Sequence, residues 1–559
     1  MDADLASIQD ARDALDRVHA AQKRFKTASQ EEVDRIVAAM VEAGAAEAAR
    51  LGQMAHEETG FGKAESKRQK NLFATRTLAE RMDGMRTAGV IEKSADGTVW
   101  KVATPMGVVA ALIPSTNPTA TAMYKAIIAA KARCGIVMSP HPKAAACTAE
   151  ALRVVAEAAY AAGAPEGLFA CLTRVTLAGT DAMMEHELTD VILATGGGPM
   201  VRAAYSKGKP AYGVGSGNVP AYVDRSANLD KAAADILTGT SFDWGTLCST
   251  ERSVVADAPI RSRLLDAFRQ RGGHVCSADE TRKLRAVIKP GGRFNVDIVG
   301  QSPRRIAELA GFSVPEGTRA LLAEVDAVGP GEPLSMETLS PILSVYAADG
   351  WEAGCARCIE ILEFGGIGHT LALHAGSDRV IEQFALRKPS MRIVVNTVAA
   401  LGSVGMTTPL FPAMTLGPGT LGGSITSDNV TPLHLVNIKR VAFETAPLNS
   451  AAGQPLDSGA RPMPRRSSPT NGRAPELRAR DGRATTGRSA PPAEAGSWMD
   501  AIERRLLDRA GNPAVERPAR AASEPPPRSA PPSRSAPPAA SALALPDARV
   551  ASLIERFRK

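Results

Sequence analysis

The chain has 559 residues, 44% apolar and 22% charged, the balance of a water-soluble globular protein with length for about three domains. It holds no apolar run of the roughly 18 residues a membrane span needs, and its acidic start, Met1-Asp2-Ala3-Asp4, lacks the basic-then-apolar layout of a secretory signal, so a cytoplasmic protein with no transmembrane segment is expected. The net charge of +7 belongs to the tail, where residues 447–559 carry 19 Lys+Arg against 11 Asp+Glu; the remainder carries 47 against 48, which argues against a nucleic-acid-binding body.

Residues 4–85 read as helical. Val33, Ile36, Met40 and Ala43 recur at helix spacing, and Ser29 followed by Glu32 fits a capping box. From 100 to 225 short apolar runs (108–113, 136–138, 168–172, 191–194) alternate with helical stretches at 120–133 and 145–162. That β-α-β-α order predicts a parallel sheet with helices on both faces. Ligands of such sheets bind beyond the carboxyl ends of the strands, where Pro114–Pro118, Ser139–Pro142 and Thr195–Gly198 fall. Residues 229–425 repeat the α/β pattern, with strands near 253–256, 341–346, 370–374 and 392–396, and residues 434–443 alternate as an edge or swapped strand would. After 446 the composition changes: 18 prolines in 113 residues, with Trp498 and Phe557 the sole aromatics, predict a disordered linker. Two islands interrupt it, Trp498, Ile502 and Leu506 within 497–510, and Val550, Leu553, Ile554 and Phe557 within 547–559. Both have the spacing of short amphipathic helices.

Seven cysteines, an odd number sparse in a long chain, predict reduced thiols and no disulfide framework. Cys248 lies in Phe242-Asp243-Trp244-Gly245-Thr246-Leu247-Cys248-Ser249, just before an expected strand, where a thiol could be presented into a cleft. Thiolate is the nucleophile, so that role asks for a setting that lowers the thiol pKa; a lone cysteine is otherwise a small core hydrophobe. Asn117 before Pro118 also fits an ordinary turn, and the glycines at 196–198 a plain strand-to-helix turn. Gly213–Gly217 is a weak phosphate-loop signal. Cys355 and Cys358 have metal or redox spacing, but no second pair follows, so no metal site is expected. His369 reads as a packing or turn histidine.

Taken in order, several segments resemble the aldehyde dehydrogenase superfamily, specifically its CoA-dependent acylating branch, which includes the acetaldehyde and propionaldehyde dehydrogenases of bacterial microcompartments. They are Pro114-Ser115-Thr116-Asn117-Pro118-Thr119, Ser139-Pro140-His141-Pro142-Lys143, Ala162–Gly167, Thr195-Gly196-Gly197-Gly198-Pro199-Met200, the Cys248 segment, Phe364-Gly365-Gly366-Ile367-Gly368-His369-Thr370 and Leu421–Val430. The resemblance covers roughly residues 5–445. It implies a Rossmann-like dinucleotide-binding domain (1–235, with arm strands at about 85–103), a catalytic α/β domain (236–429) and an oligomerisation strand (430–446), followed by the linker 447–540. It also implies dimers or tetramers.

The roles it implies are specific. Cys248 attacks the aldehyde carbonyl, while the Asn117 side-chain amide and the Cys248 backbone N–H hold the oxyanion. Hydride passes to NAD, leaving a thioester. Thr195, Gly196 and Gly197 match the cofactor loop, Glu337 the carboxylate on the nicotinamide ribose, and Thr116 belongs to the same cofactor wall. Pro140-His141 falls where hydrolytic members carry a lysine on the adenosine ribose, a departure that suits a site shared in turn by NAD and CoA. Hydrolytic members also carry a glutamate that activates water. Its position falls on Val214, and no Asp or Glu occurs from Val191 to Val223. The expected reaction is therefore oxidation of a short aldehyde, propanal or acetaldehyde, with NAD and CoA. A hydrolytic or sulfoacetaldehyde-type enzyme and a non-catalytic microcompartment cargo or scaffold protein are the rivals. Residues 541–559 resemble an encapsulation peptide that docks on shell or cargo proteins and places the enzyme in the microcompartment lumen. Binding to a membrane surface through Arg549, Arg556, Arg558 and Lys559 and an inert tail remain open beside that reading.

Overall fold

The computed structural model describes residues 2–445; the linker and the islands at 497–510 and 541–559 lie outside the described residues. Helices open the chain at Ala3–Phe25, Gln30–Ala46, Ala48–Thr59 and Ala64–Leu72. Ser29 and Glu32 form the expected capping box, each side chain bonded to the other's backbone N–H. Glu31 and Glu32 add favourable negative charge to the helix N-terminus.

Two parallel sheets carry the α/β body, as its alternating pattern requires. The first runs in the order Phe169–Cys171, Gly135–Pro140, Val108–Ile113, Val191–Thr195, Ala211–Val214. Its strand order reverses between Val108–Ile113 and Val191–Thr195, so the loops after these two strands diverge and leave a crevice between them. Helix Pro118–Lys131 packs behind this crevice and is buried along its entire length. The second sheet has seven strands in the order Gly273–Val275, Ala320–Glu324, Ile342–Ala348, Glu251–Asp257, Val219–Val223, Gly368–His374, Ser390–Val395.

Val219–Val223 was invisible to the periodicity because Pro220 removes a ladder donor. Its pairing with Glu251–Asp257 shifts register between Val219 and Pro220, so the proline sits at the irregularity and the strand stays central. Ala211–Val214, Gly273–Val275 and Ala320–Glu324 also escaped the sequence pattern; the first two are only four and three residues long. A third, antiparallel sheet pairs Val99–Pro105 with both Gly89–Lys93 and Val436–Ala442, joining segments more than 300 residues apart in the chain. Among the described residues, no helix is long and apolar enough to cross a membrane.

Candidate active site

The segment Gly215–Asn218 links the two large sheets, and the cleft beside it has a volume of about 410 Å³. Its wall gathers Thr116, Asn117, Pro140, His141, Thr195, Gly196, Gly197, Cys248 and Glu337, every candidate residue expected from the sequence. They come from five separate loops, which the strand-order reversal and the sheet-to-sheet crossing bring together.

Cys248 is placed by a strained approach. Asp243 and Trp244 adopt left-handed φ of 48° and 49°, and Gly245 follows at +75°. Such conformations cost about 1–3 kcal/mol each for non-glycine residues unless neighbours hold them. Asp243 is held on all sides. Its fully buried carboxylate accepts from the Lys63 backbone N–H at 2.6 Å, from Thr246 Oγ1 at 2.7 Å and from Lys67 Nζ at 3.2 Å, and it pairs closely with Lys70. Gly217 allows the final close approach, because a Cβ there would stand 1.8 Å from the Cys248 carbonyl oxygen.

The thiol's setting differs from the one the sequence suggested. Burial, with the Glu337 carboxylate adding to it, pushes the Cys248 thiol up to about 12, against the pull of Arg392 and Arg252. In this geometry Cys248 is a protonated thiol. All seven cysteines are free, as expected.

The Asn117 amide is fully engaged. Lys70 Nζ donates to Oδ1 at 2.6 Å, while Nδ2 donates to Thr116 Oγ1 at 3.0 Å and to the Thr246 carbonyl at 3.3 Å. Glu337 accepts from the Gly217 N–H at 2.9 Å and from the Ser216 hydroxyl, so the loop dismissed as a weak signal fixes this carboxylate. Helix Gly198–Tyr205 starts at Gly197 with no side-chain cap, leaving its first N–H groups directed out of the helix end beside the cleft. The Thr195 hydroxyl is hydrogen-bonded to the Thr415 hydroxyl, Oγ1 to Oγ1 at 3.0 Å. His141 is exposed and its Nδ1 accepts from the Lys143 N–H at 3.1 Å.

Val214, at the end of its strand, is buried and lines the same cleft; among the residues lining it Glu337 is the sole acid. His369 is buried, bonded through Nδ1 to Thr370 Oγ1 at 2.9 Å, and its Nε2 has no partner. Burial, then Arg392, holds it down to about 3, so it is neutral.

This is a Rossmann-like switch-point crevice whose floor is a cysteine. The model of the aldehyde dehydrogenase family matches residues 1–283. The solved acetylating aldehyde dehydrogenase of Geobacillus thermoglucosidasius is 47% identical, with 80% of this chain and 99% of that one covered and a TM-score of 0.79. A Rhodopseudomonas palustris propionaldehyde dehydrogenase, solved with bound CoA and an acylated cysteine, is 26% identical over 78% of this chain and 97% of that one, with a TM-score of 0.70. The bifunctional aldehyde-alcohol dehydrogenase AdhE of Escherichia coli K12 is 39% identical over 434 residues, 77% of this chain and 49% of AdhE. The chain spans about half the length of the first curated relatives it matches. The chain belongs to the aldehyde dehydrogenase family. Within that family its relatives are the acylating members.

Proposed function

We propose that this protein oxidises a short aliphatic aldehyde, propanal or acetaldehyde, to its acyl-CoA, using NAD and a thioester on Cys248. The observation that carries the reading is the cleft wall: a thiol, a side-chain amide and an uncapped helix start converge on it, and its sole carboxylate is already bonded to Ser216 and Gly217. The residues suit a dinucleotide, since unsatisfied N–H groups at a helix N-terminus favour phosphate and the capless Gly197 leaves them accessible. Glu337 would hold ribose hydroxyls, Gly196 and Gly197 the pyrophosphate, and Thr116, Thr195, Pro140 and His141 the remaining walls. Bound there, NAD would supply the hydride acceptor.

The partly exposed Cys248 thiol gives up its proton to water in the cleft as its sulfur adds to the carbonyl carbon, and the carbonyl oxygen becomes an oxyanion. Asn117 Nδ2 has two hydrogens, both engaged. The oxyanion takes the one now given to the rotatable Thr116 hydroxyl, joined by the Cys248 backbone N–H; each such donor is typically worth about 10²–10³ in rate. Loss of hydride from the same carbon leaves the thioester. Val214 offers no base for water at this point, and a missing general base forfeits about 10²–10⁴ in rate. The thioester therefore persists until the CoA thiolate attacks its carbonyl, forming the new C–S bond and releasing the Cys248 thiolate.

Purified protein given propanal should form NADH and propionyl-CoA in a CoA-dependent manner, lost in Cys248→Ala. Retention of activity in that variant would sink the proposal. For the tail we propose an address: Val550, Leu553, Ile554 and Phe557 recur at i, i+3, i+4 and i+7, a sequence spacing suited to docking on a microcompartment shell or cargo helix. Truncation after Ala446 should leave turnover unchanged and abolish co-sedimentation with shells; undiminished co-sedimentation would refute the address.

A further inference from the structure

Beneath the cleft lies a buried cluster of three charges that the proposed reaction does not use. Lys67, Lys70 and Asp243 are all but inaccessible, with side-chain exposures of 2%, 3% and 0%. Two ammonium groups against one carboxylate leave a net positive charge in the interior. Such a group is expensive to bury and is rarely explained by stability alone. Lys67 spends its bonds on Asp243 and on the Thr116 carbonyl, 3.2 Å away. Lys70 pairs with Asp243, lies 3.5 Å from Thr246 Oγ1, and donates to Asn117 Oδ1 at 2.6 Å.

We propose that Lys70 is the positioning residue for Asn117, fixing which end of the amide faces the reacting carbonyl. An ammonium group donates and has no acceptor. Whatever amide atom faces Lys70 must therefore be the oxygen, which commits Nδ2 to the opposite side, toward Thr116 and Thr246. A charged donor on the amide oxygen also polarises the group and strengthens Nδ2–H as a donor, since linked hydrogen bonds reinforce one another in a low-dielectric interior. Asp243 anchors Lys70 in turn, and the left-handed turn at Asp243 and Trp244 is what brings that carboxylate under the amide. Burial lowers Lys70 to about 8 against the pull of Asp243, so a neutral pH leaves the ammonium form in place.

This inference rests on reading Asn117 as the oxyanion donor, and the test separates the two. Lys70→Met leaves Asp243 paired with Lys67, so the cluster becomes neutral without stranding a charge. Lys67→Met makes the same change of charge on the same carboxylate but does not touch Asn117. The measurement is the pre-steady-state rate of NADH formation from propanal, with NAD and CoA, in the full-length protein, alone and in an Asn117→Ala background. Lys70→Met should slow the burst roughly 10–100-fold, the scale on which misplacing a reacting group acts, and Lys67→Met should cost much less. Lys70→Arg, which keeps a cationic donor, should recover part of the loss. In the Asn117→Ala background Lys70→Met should add little, because the group it positions is gone. Full multiplicative losses in the double variant, equal losses from the two lysines, or an unimpaired Lys70→Met would each overturn the proposal. A normal burst in Asn117→Ala alone would instead refute the oxyanion reading. If Lys70→Met does not fold, Asp243→Asn replaces it in the same cycle and must show the same coupling to Asn117.

Discussion

Cys248 should behave as a sluggish nucleophile until the charge beside it changes, and Glu337→Gln is the substitution that exposes this. Burial and the Glu337 carboxylate together raise the thiol from an ordinary 9.0 to about 12. Three units cut the thiolate fraction at pH 8 by about 10³, and the higher nucleophilicity of a more basic thiolate recovers somewhat less than half of that on a logarithmic scale. Alkylation by iodoacetamide should therefore run roughly 50-fold slower than for an unperturbed thiol. Removing the Glu337 charge lowers the thiol pKa, and each unit gained is worth about 3–4-fold in rate after the same correction. The assay is pseudo-first-order alkylation of the Cys248 peptide followed by mass spectrometry at pH 8, with melting temperature as a check on folding. NAD, were it held by Glu337 as proposed, would bring a cationic ring to the cleft and should accelerate the wild-type reaction in the same direction. Alkylation that is unchanged or slower in a folded Glu337→Gln, with no response to NAD, would refute this account of the thiol.

Three further outcomes follow from the same geometry. Gly217→Ala must displace the Cys248 carbonyl, which would otherwise lie 1.8 Å from the new Cβ, and kcat/KM for propanal should fall by about 10²; wild-type kinetics would contradict the placement. Val214→Glu puts a carboxylate on the cleft wall and should yield measurable free acid in the absence of CoA, read by product chromatography; no acid from a folded variant would contradict the argument from Val214. Glu251 is buried with Oε2 unpartnered, and burial raises it to about 8. A raised folded pKa favours the folded state while the carboxyl is protonated. This contribution is complete below pH 4.5 and is lost as the pH rises through about 8, at most about 5 kcal/mol in all. Glu251→Gln should flatten this dependence, so its melting temperature relative to wild type should rise between pH 5 and pH 9. A constant difference would refute the assignment.

Much of the chemistry was legible because it lies in short contiguous segments. Pro114–Thr119 and Thr195–Met200 sit at the end of a strand whose apolar run could be counted, the Cys248 loop sits just before one, and the cleft collects all three. What escaped was set by contacts between distant segments. Lys67 and Lys70 fall within a stretch that read only as helical, and their partner Asp243 is more than 170 residues away. The thiol environment is set the same way: burial by the assembled fold, and then Glu337, raises Cys248, and neither can be read from neighbouring sequence. Ser216 and Gly217 carried a signal, the glycine-rich run 213–217, but its use as a cradle for Glu337 depends on the crossing between two sheets.

The most direct test of the central claim is a single turnover without CoA. Enzyme incubated with propanal and NAD should form about one NADH per protomer and carry a propionyl group on the Cys248 peptide, which added CoA then removes as propionyl-CoA. Continuous NADH formation and free propionate, with Cys248 unmodified, would contradict the thioester and the absence of a water-activating base together.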